Sequence, residues 1–473
     1  MNYQDKQVAI LGFGQEGQTM AEYLLREGAL VTILDEREPA KLGQVYESWQ
    51  GREVRWQLGP SYLKNLKQFA VIVRSPGVPL SLPALTWAQR AGVVITSQTK
   101  IFFSLCPAPI IGVTGTKGKG TTSTLIAKML TVAKKKVFLV GNIGESSISI
   151  LPKLTPRHWV VYELSSFQLQ DLDKSPHDAE AMRGKPHIAV VLGLTVEHQD
   201  YHKNPEEYFA AKANILKWQK PTDAVIFNID YPETKRLRAE AKGRVFQTSR
   251  EVPVASGAYV AGDVIFRRMN NHTEHVLYHH EVGLKGKHNL ENITAAVAAA
   301  TLAGVTMPAI RRALKSFMGL PHRLELVGEY GEVSYWNDSY GTTPETTIAA
   351  IRSFVQPIVL MLGGSEKKLS YDRLAECILG SSVKTIVAIG LNAEKMHAAV
   401  TRLAKARNVK PPPLVVGGET MKEMVKTARK FAKSGDVVLL SPAAASFDRF
   451  KNAGDRGDQF RAVVHKLAEH PSS

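Results

Sequence analysis

The sequence predicts an α/β protein with three domains: a Rossmann-like N-terminal domain, a central P-loop ATPase-type domain with a parallel sheet, and a C-terminal Rossmann-like α/β domain. Apolar strands alternate with helical segments along most of the 473-residue chain, which is typical of parallel sheets. Glycine-rich turns follow two of these strands, as in nucleotide-binding folds. The length suits about three domains, which we place at residues 1–106, 107–318 and 319–473.

The composition is that of an ordinary globular protein, with 44% hydrophobic and 22% charged residues. No apolar run reaches membrane-spanning length, and residues 1–7 lack the pattern of a signal peptide. We therefore expect a cytoplasmic protein that does not insert into a membrane. The two cysteines, Cys106 and Cys377, imply neither a disulfide framework nor a cysteine metal site. We also expect a monomer.

The formal net charge of +16 raises the question of a nucleic-acid partner. The basic residues are spread along the chain, and the densest small cluster, at residues 134–136, precedes an apolar strand, as a solvated turn does. No RNA- or DNA-binding signature accompanies the charge. We expect polyanionic small ligands and no nucleic acid, with a basic nucleic-acid-binding ATPase as the minor alternative.

The first segment contains a βαβ unit with a glycine fingerprint. A strand at residues 8–12 runs into the Gly-x-Gly-x-x-Gly turn of residues 12–17, and the strand after the following helix ends in Asp35. Glycines at this spacing let the backbone approach a diphosphate, and the acid contacts a ribose. Taken alone, the unit favours a dinucleotide such as NAD, although such glycines also serve helix–strand packing. A later strand of this segment ends in a Ser-Pro-Gly turn.

The second segment is organised around the loop at residues 112–122, Gly-Val-Thr-Gly-Thr-Lys-Gly-Lys-Gly-Thr-Thr. An apolar strand precedes the loop and a helical segment follows it, which is the arrangement that cradles phosphates. Lys119 would reach the outer phosphates, and Thr121 or Thr122 could face Mg²⁺. The alternative is a glycine-rich loop with surface lysines.

Further residues of this segment have side chains suited to metal or nucleotide chemistry. Glu163 ends a strand, where a Mg²⁺ ligand is expected, with a helix-capping acid as the alternative. His198 lies in a group of acids and histidines that favours a metal or phosphate site. Lys212, read alone, is a helix-surface lysine. Asn289 has N-cap character, and Asn292 lies one turn into an alanine-rich helix.

The rest of the chain continues the α/β pattern, with one interruption. We predict a helix over residues 205–218 and a β-rich excursion at residues 244–284, where apolar residues alternate. The third segment opens with a hairpin at residues 324–335. Its last strand, at residues 436–440, runs into small and hydroxyl residues.

Taken together, these motifs resemble the Mur ligases of peptidoglycan synthesis over nearly the whole chain. The motifs that carry the resemblance follow the family's order: residues 115–119, 141–144, 163–169, 197–198 with Lys212 downstream, 288–289 with Asn292, 319–323, 337–339 and 441–446. The Glu-Leu-Ser-Ser-Phe-Gln-Leu string at residues 163–169 and the Rossmann-like first domain favour the members that add D-glutamate.

The resemblance implies ATP-dependent amide formation, with ATP and Mg²⁺ as cofactors and small molecules as the other partners. The terminal carboxylate of UDP-N-acetylmuramoyl-L-alanine attacks the γ-phosphate of ATP and gives an acyl phosphate. The amine of D-glutamate then displaces phosphate through a tetrahedral intermediate. This chemistry needs positive groups around the phosphates and exclusion of water from the acyl phosphate.

The resemblance also implies roles for single residues. The catalytic residues would be Lys119, His198 and Lys212. The metal ligands would be Thr121, Glu163, His198 and Lys212 as a carbamate. The ATP-binding residues would be Gly115, Thr116, Lys117, Gly118, Lys119, Gly120, Thr121, Asn289, Asn292, Arg323 and Asp338. The UDP-substrate would meet Gly14, Gln15, Glu16, Gly17, Asp35, Ser75, Gly77, Asn142, Ser165 and Gln168. The acceptor amino acid would meet Thr342, Lys367, Ser446 and Phe447.

Several positions depart from the family pattern and keep alternatives open. Gly120 stands where Mur ligases usually carry Ser or Thr, and the Lys-Gly-Lys-Gly run resembles folylpolyglutamate synthetase, a related ligase. Gly193 and Glu197 replace an Asn and an Asp, and Tyr340 and Ala453 replace a lysine and an aromatic residue. The alternatives are a different acceptor amino acid or a folate donor. An NAD-dependent dehydrogenase is a further alternative, but it leaves Lys212 and the third domain unexplained.

Overall fold

The computed structural model contains three β-sheets covered by helices, and it describes residues 2–142, 144–172, 185–195, 201–284, 286, 288–365 and 369–469. The chain divides into two compact units, the first with residues 1–279 and 291–313 and the second with residues 280–290 and 314–473. Among the described residues, no helix has the length and apolar character needed to cross a bilayer.

The N-terminal sheet lies in the first unit. Its strands are β1 (Gln7–Leu11), β2 (Leu30–Asp35), β3 (Val54–Leu58), β4 (Val71–Arg74) and β5 (Val94–Thr96). In the described chain they pair in parallel in the order β3-β2-β1-β4-β5. The helices of this region are α1 (Gln15–Arg26), α2 (Pro39–Leu42), α3 (Gln44–Ser48), α4 (Pro83–Arg90) and α5 (Gln98–Leu105).

The central sheet lies in the same unit. Its strands are β6 (Ile110–Thr114), β7 (Val137–Val140), β8 (Trp159–Glu163), β9 (Pro186–Val191), β10 (Ala224–Asn228), β11 (Arg244–Ser249), β12 (Gly257–Ala261), β13 (Val264–Met269) and β14 (His272–Tyr278). Over the described residues their order is β14-β13-β12-β11-β10-β9-β6-β8-β7, parallel from β7 to β12. Strands β12 to β14 form two antiparallel hairpins, which confirms the β-rich excursion.

The helices that follow the central strands begin with α6 (Lys119–Val132), α7 (Ser147–Ile150) and α8 (Ser166–Leu169). They continue with α9 (Pro205–Ala213), α10 (Pro232–Arg236), α11 (Asn289–Leu302) and α12 (Met307–Ser316). The helix predicted over residues 205–218 therefore ends early, at Ala213. The chain then tightens into turns where the side chains of Asn214 and Trp218 donate hydrogen bonds to the carbonyls of Leu169 and Leu172, at 3.1 and 3.0 Å.

The third sheet belongs to the second unit. Its strands are β15 (Glu325–Tyr330), β16 (Val333–Asn337), β17 (Ile358–Leu362), β18 (Val383–Ala388), β19 (Leu414–Val416) and β20 (Val437–Leu440). In the part that the structure describes, the order is β15-β16-β20-β17-β18-β19, parallel except for the β15–β16 hairpin. The helices are α13 (Pro344–Ile351), α14 (Asp372–Leu379), α15 (Ala393–Ala406), α16 (Met421–Phe431) and α17 (Ala453–Glu469).

The parallel strands are buried on both faces, as a sheet covered by helices on both sides requires. In β1, Val8 and Ile10 belong to one apolar cluster, whereas Ala9 and Leu11 belong to another. In β17, alternate residues likewise divide between two clusters. This explains why the strands are continuous apolar runs in the sequence, and it confirms the predicted α/β class with a mostly parallel sheet in each of three regions.

Candidate functional site

The phosphate loop joins β6 to α6, as its sequence predicts. Strand β6 lies between β8 and β9 in the central sheet, so the loop leaves the sheet where those two strands also end. Gly118 is the N-cap of α6, and its φ of +82° lies in the left-handed region. A Cβ on Gly118 would lie 2.0 Å from Oδ1 of Asn292, so only glycine fits without a shift. The first turn of α6 contains no acidic residue, which leaves its N-terminus suited to an anion.

Two side chains hold the loop in shape. The Lys119 Nζ donates hydrogen bonds to the carbonyls of Gly115 and Thr116, both at 2.9 Å. The Thr116 hydroxyl donates to the carbonyl of Thr195 at 2.9 Å and lies 3.0 Å from the hydroxyl of Tyr208. Lys119, which is predicted to contact the phosphates of a bound nucleotide, therefore folds back over the loop. The N–H of Thr116 donates to the carbonyl of Gly193 at 3.0 Å, so both the backbone and the side chain of Thr116 hold the loop in shape. Tyr208 is a supporting residue that sequence reasoning missed.

The structure separates the two candidate hydroxyls for Mg²⁺. Thr122 is fully buried, and its Oγ1 donates to Oδ1 of Asn292 at 3.2 Å. Thr121 is half-buried and lies one residue closer to the loop. The hydroxyl of Thr122 is thus engaged inside the protein, which leaves Thr121 as the candidate. Asn292 lies beneath the loop. Asn289 is buried in the second unit. The contact of both residues with adenine stays a prediction.

Glu163 and Lys212 lie at the same edge of the central sheet. Glu163 is the last residue of β8, pairs with Val113 of β6 and is 6% exposed. Lys212 on α9 is 1% exposed, and its Nζ donates to the carbonyl of Gly115 at 2.9 Å and to the hydroxyl of Thr114 at 3.3 Å. Reading Lys212 as a helix-surface lysine is therefore wrong, because its amine points at the start of the phosphate loop.

The donors around the loop fit Mg²⁺ by their chemistry. Glu163 supplies a carboxylate and Thr121 a hydroxyl, and Mg²⁺ favours one or two carboxylates together with oxygens of substrate phosphates. Among the described residues, no group of three or more His, Cys, Asp or Glu side chains converges on a metal position. His198 lies outside the described residues, and so does Lys367. His202 is described, and it is buried with Nε2 3.0 Å from the hydroxyl of Ser166.

The first glycine loop joins β1 to α1. Gly17 packs so closely on β1 that a Cβ there would lie 2.3 Å from the carbonyl oxygen of Gly12. The Asp35 carboxylate accepts hydrogen bonds from the backbone N–H of Phe13 at 2.8 Å and from the Arg37 guanidinium at 2.7 and 2.8 Å. Burial by itself raises the pKa of Asp35, but the hydrogen bonds from Arg37 and Phe13 bring that pKa below its ordinary value. The structure thus joins Asp35 to the glycine loop.

A polar network joins α1 to the loop after β8. The Gln168 Nε2 donates to Oε1 of Glu16 at 2.9 Å, and the Gln168 Oε1 accepts from the backbone N–H of Ser165 at 3.0 Å. Burial is the main cause that raises the pKa of Glu16. Glu16, Ser165 and Gln168, all predicted to meet the UDP-substrate, are therefore neighbours. Of the remaining candidates, Ser75 donates to the carbonyl of Gly12 at 2.8 Å, and four are exposed at the surface: Gly14, Gln15, Gly77 and Asn142.

Among the described candidate residues of the second unit, Asp338 has the most strongly shifted pKa. Its carboxylate accepts hydrogen bonds from the Ser441 hydroxyl at 2.7 Å and from the Leu324 backbone N–H at 3.2 Å. Burial raises the pKa of Asp338 to about 7, against the lowering effect of these bonds and of Arg323 and Arg456. A carboxyl that titrates near neutrality at the end of β16 is a candidate for contact with a polar ligand.

Arg456 is a supporting residue that sequence reasoning missed. It is fully buried, and it donates to Oγ of Ser339 at 2.9 Å and to the carbonyls of Ser339 and Ala444 at 2.7 and 3.2 Å. The guanidinium therefore ties the turn after β16 to the loop after β20. The sequence offers only a weak signal for this, an arginine within the first turn of an otherwise ordinary helix.

The acceptor candidates differ in exposure. Thr342 is half-buried, and Phe447 is 75% exposed. Ser446 is buried, and its hydroxyl has no hydrogen-bond partner within the described part of the chain. Tyr340, which stands where the family has a lysine, lies under the Arg323 guanidinium with 5.4 Å from Cζ to the ring centroid. The guanidinium thus supplies a positive charge close to the position where the family lysine would stand.

Three family models match consecutive parts of the chain. Residues 6–97 match the Mur ligase MurD-like N-terminal domain, residues 113–300 the Mur ligase middle domain, and residues 322–444 the Mur ligase glutamate ligase domain. A UDP-N-acetylmuramoylalanine–D-glutamate ligase of Acetivibrio thermocellus is 38% identical over 465 residues, covering 98% of this chain and 97% of that protein. A protein of the same name from Symbiobacterium thermophilum is 37% identical, with 98% of each chain covered.

Solved structures of similar fold have lower sequence identity. The MurF ligase of Thermotoga maritima in complex with ADP aligns with a TM-score of 0.57 and 17% identity, over 98% of this chain and 96% of that chain. The UDP-N-acetylmuramate-alanine ligase MurC of Thermotoga maritima aligns with a TM-score of 0.58 and 15% identity, over 98% and 99% of the two chains. These alignments show that the fold is shared.

Proposed function

This chain belongs to the Mur ligase family, and from that premise we propose that it joins D-glutamate to UDP-N-acetylmuramoyl-L-alanine at the expense of ATP. The observation that carries the proposal is the group at the carboxyl edge of the central sheet. There the phosphate loop, the carboxylate of Glu163 and the amine of Lys212 lie on three adjacent elements. The names of the full-length relatives support D-glutamate as the acceptor.

The phosphate loop has the features that phosphoryl transfer needs. The N–H groups at the start of α6 and the Lys119 ammonium would bind the β- and γ-phosphates and neutralise the charge that develops on the transferred group. The substrate carboxylate then attacks the γ-phosphorus, the bond to the β-phosphate oxygen breaks, and an acyl phosphate and ADP result. The amine of D-glutamate attacks the acyl carbon, and phosphate leaves.

Glu163 and Thr121 would hold Mg²⁺ beside the phosphates, with His198 as a further ligand. When bound, the metal supplies positive charge to the phosphate oxygens. Lys212 would join these ligands as a carbamate, formed when its Nζ adds to CO₂ and releases a proton. Its position at the start of the loop supports this, because a negative group there would lie beside a bound cation.

The remaining roles are part of the same proposal. The UDP-substrate would be bound by the first glycine loop and by the residues around Gln168. ATP would be bound not only by the phosphate loop but also by Asn289, Asn292, Arg323 and Asp338. Thr342, Lys367, Ser446 and Phe447 would meet the acceptor amino acid. We propose the domain limits 1–106, 107–318 and 319–473, a cytoplasmic location and a monomeric enzyme.

Phosphate release from ATP tests the proposal directly. Purified protein is incubated with Mg²⁺, UDP-N-acetylmuramoyl-L-alanine and each of a panel of amino acids, and the product is identified by mass spectrometry. We expect release and a new amide with D-glutamate, and none when either substrate is omitted. Release with another acceptor but not with D-glutamate would retain the ligase chemistry and overturn the acceptor.

A further inference from the structure

We propose that Arg74 is a positioning residue for the sugar-nucleotide substrate, because its guanidinium fixes the backbone of the turn at residues 75–78. The inference rests on the proposed function, which assigns Ser75 and Gly77 of this turn to the UDP-substrate. Arg74 is the last residue of β4, and its side chain is 0% exposed.

The contacts of Arg74 are concentrated on one turn. Its Nη1 donates to the carbonyls of Ser75 at 3.2 Å and Pro76 at 3.1 Å, and also to that of Val78. Three of the four carbonyls of the turn therefore face one cation. Because the Ser75 hydroxyl also donates to the carbonyl of Gly12 at 2.8 Å, the position of the turn is linked to the first glycine loop.

The charge of Arg74 is balanced from the central region of the same unit. Its Nη2 lies 2.5 Å from Oδ1 of Asp171, whose side chain is 5% exposed. The hydroxyl of Tyr201 lies 3.0 Å from the carbonyl of Pro76 and 3.3 Å from that of Val78, and it accepts from the Gln170 Nε2 at 2.6 Å. The turn is thus held by one element of the N-terminal sheet and by two segments that follow central strands.

Burying the two charges of Arg74 and Asp171 costs free energy. Hydrophobic residues of similar volume could replace this ion pair without loss of stability. Its distinctive result is geometric, since one planar guanidinium contacts the carbonyls of the turn through Nη1 and the Asp171 carboxylate through Nη2, which the single nitrogen of lysine cannot reproduce. The turn lies among the residues proposed to bind the UDP-substrate, and the Ser75 hydroxyl joins it to the first glycine loop. Loss of Arg74 should therefore weaken binding of one substrate selectively.

The test uses the double variant Arg74→Met with Asp171→Leu, which removes both charges so that no unpaired ion remains buried. Arg74→Lys is the conservative variant. The matched control is Lys185→Met with Asp223→Leu, because Lys185 and Asp223 form another buried ion pair of the same unit, at the starts of β9 and β10. For each protein, phosphate release is measured while UDP-N-acetylmuramoyl-L-alanine, ATP and D-glutamate are varied in turn, and the melting temperature is recorded.

We expect the double variant to raise the KM for UDP-N-acetylmuramoyl-L-alanine by about tenfold or more, with the KM values for ATP and D-glutamate changed by less than about twofold. Arg74→Lys should give a smaller rise, and the control pair should change no KM selectively. An unchanged KM for the UDP-substrate in a double variant that melts like the wild type overturns the inference. Equal changes in all three KM values, as from general loosening, also overturn it.

Binding of uridine diphosphate by calorimetry separates this inference from the proposed function. If the wild type releases no phosphate with these substrates, the proposed reaction is wrong. Arg74 is then judged by whether the double variant binds uridine diphosphate about tenfold more weakly than the wild type. Equal binding overturns the role of Arg74.

Discussion

The first glycine loop, which joins β1 to α1, and the phosphate loop, which joins β6 to α6, have the same order of elements but differ in backbone detail. Each follows a buried strand of a parallel sheet and leads into a helix whose N-cap is a glycine. Gly14, the first N-cap, has an extended conformation with φ of −79° and no atom near its would-be Cβ. Gly118, the second, is left-handed and in contact with Asn292. Gly14 therefore leaves space that a ligand could fill, whereas Gly118 is required by the fold.

The two loops differ in their charged neighbours, which are mainly acids at the first loop and mainly lysines, with Glu163 beside them, at the second. Glu16 lies in the first turn of α1 and Asp35 at the end of the next strand, whereas the phosphate loop has Lys119 in the first turn of α6 and Lys212 beside it. Both oxygens of Asp35 already accept hydrogen bonds from Arg37. The glycine spacing thus specifies a shape that admits a phosphate, and the charges decide how strongly the loop favours a polyanion.

The largest effect is expected from removing the cation that distinguishes the phosphate loop. Lys119→Ala should lower kcat by about 10³-fold or more, because the charge of the transferred phosphoryl group would lose its main counter-charge. Calorimetry should show binding of the UDP-substrate nearly unchanged. Lys128→Ala, an exposed lysine on the same helix, is the control and should be close to wild type. Activity that survives in Lys119→Ala would mean that this loop does not bind the transferred phosphate.

A smaller loss is expected from Lys212, which lies beside the loop rather than in it. Lys212→Ala should lower kcat by about 10²-fold or more, and a short carboxylate such as acetate should restore part of the activity if the residue acts as an anion. Lys217→Ala, five residues further along the chain, should leave kcat within a few-fold of the wild type. Full activity of Lys212→Ala without added carboxylate would exclude a carbamate role.

The two N-cap glycines give a direct structural comparison. Gly118→Ala should destabilise the protein by about 1–3 kcal/mol, because the new Cβ meets Asn292 and the backbone is left-handed. Gly14→Ala should change stability by less than about 0.5 kcal/mol, since nothing lies within 4 Å of its Cβ. Urea unfolding measures both. Equal losses would contradict the distinction between a glycine needed for the fold and one left free for a ligand.

The smallest effect concerns the acids of the first loop, whose pKa values move in opposite directions. The pKa of Asp35 is lowered, so its stabilising contribution is present above the unfolded pKa of about 3.9 and is lost as the pH falls through the folded value. The pKa of Glu16 is raised, chiefly by burial, so its contribution is present below the unfolded pKa and is lost as the pH rises through the folded value.

Urea unfolding between pH 3 and pH 7 tests these signs. Asp35→Asn should lower the free energy of unfolding by about 1 kcal/mol at pH 7 and by less at pH 3. As the pH rises over the same range, the free energy of unfolding of Glu16→Gln should increase relative to that of the wild type, because the wild type must ionise a buried carboxyl. Parallel pH profiles for the two variants and the wild type would show that neither carboxyl has a shifted pKa in the folded protein.

The sequence by itself determined the α/β class, the family and the position of each glycine loop. These features depend on neighbours in the chain, because strand, turn and helix follow one another within about twenty residues. Gly120 and Tyr340 were also recognisable as departures, since a single position can be compared with a motif. The list of site residues stays a prediction, and His198 and Lys367 lie outside the described residues.

Only the tertiary structure decided which side chains meet. It placed Lys212 against the phosphate loop, assigned Thr122 to Asn292 across 170 residues, and paired Arg74 with Asp171 across 97 residues. The strand order brings β8 and β9 to the two sides of β6, and sequence spacing does not specify that order. For that reason Lys212, read alone, is a surface lysine in the sequence and a buried amine at the phosphate loop in the fold.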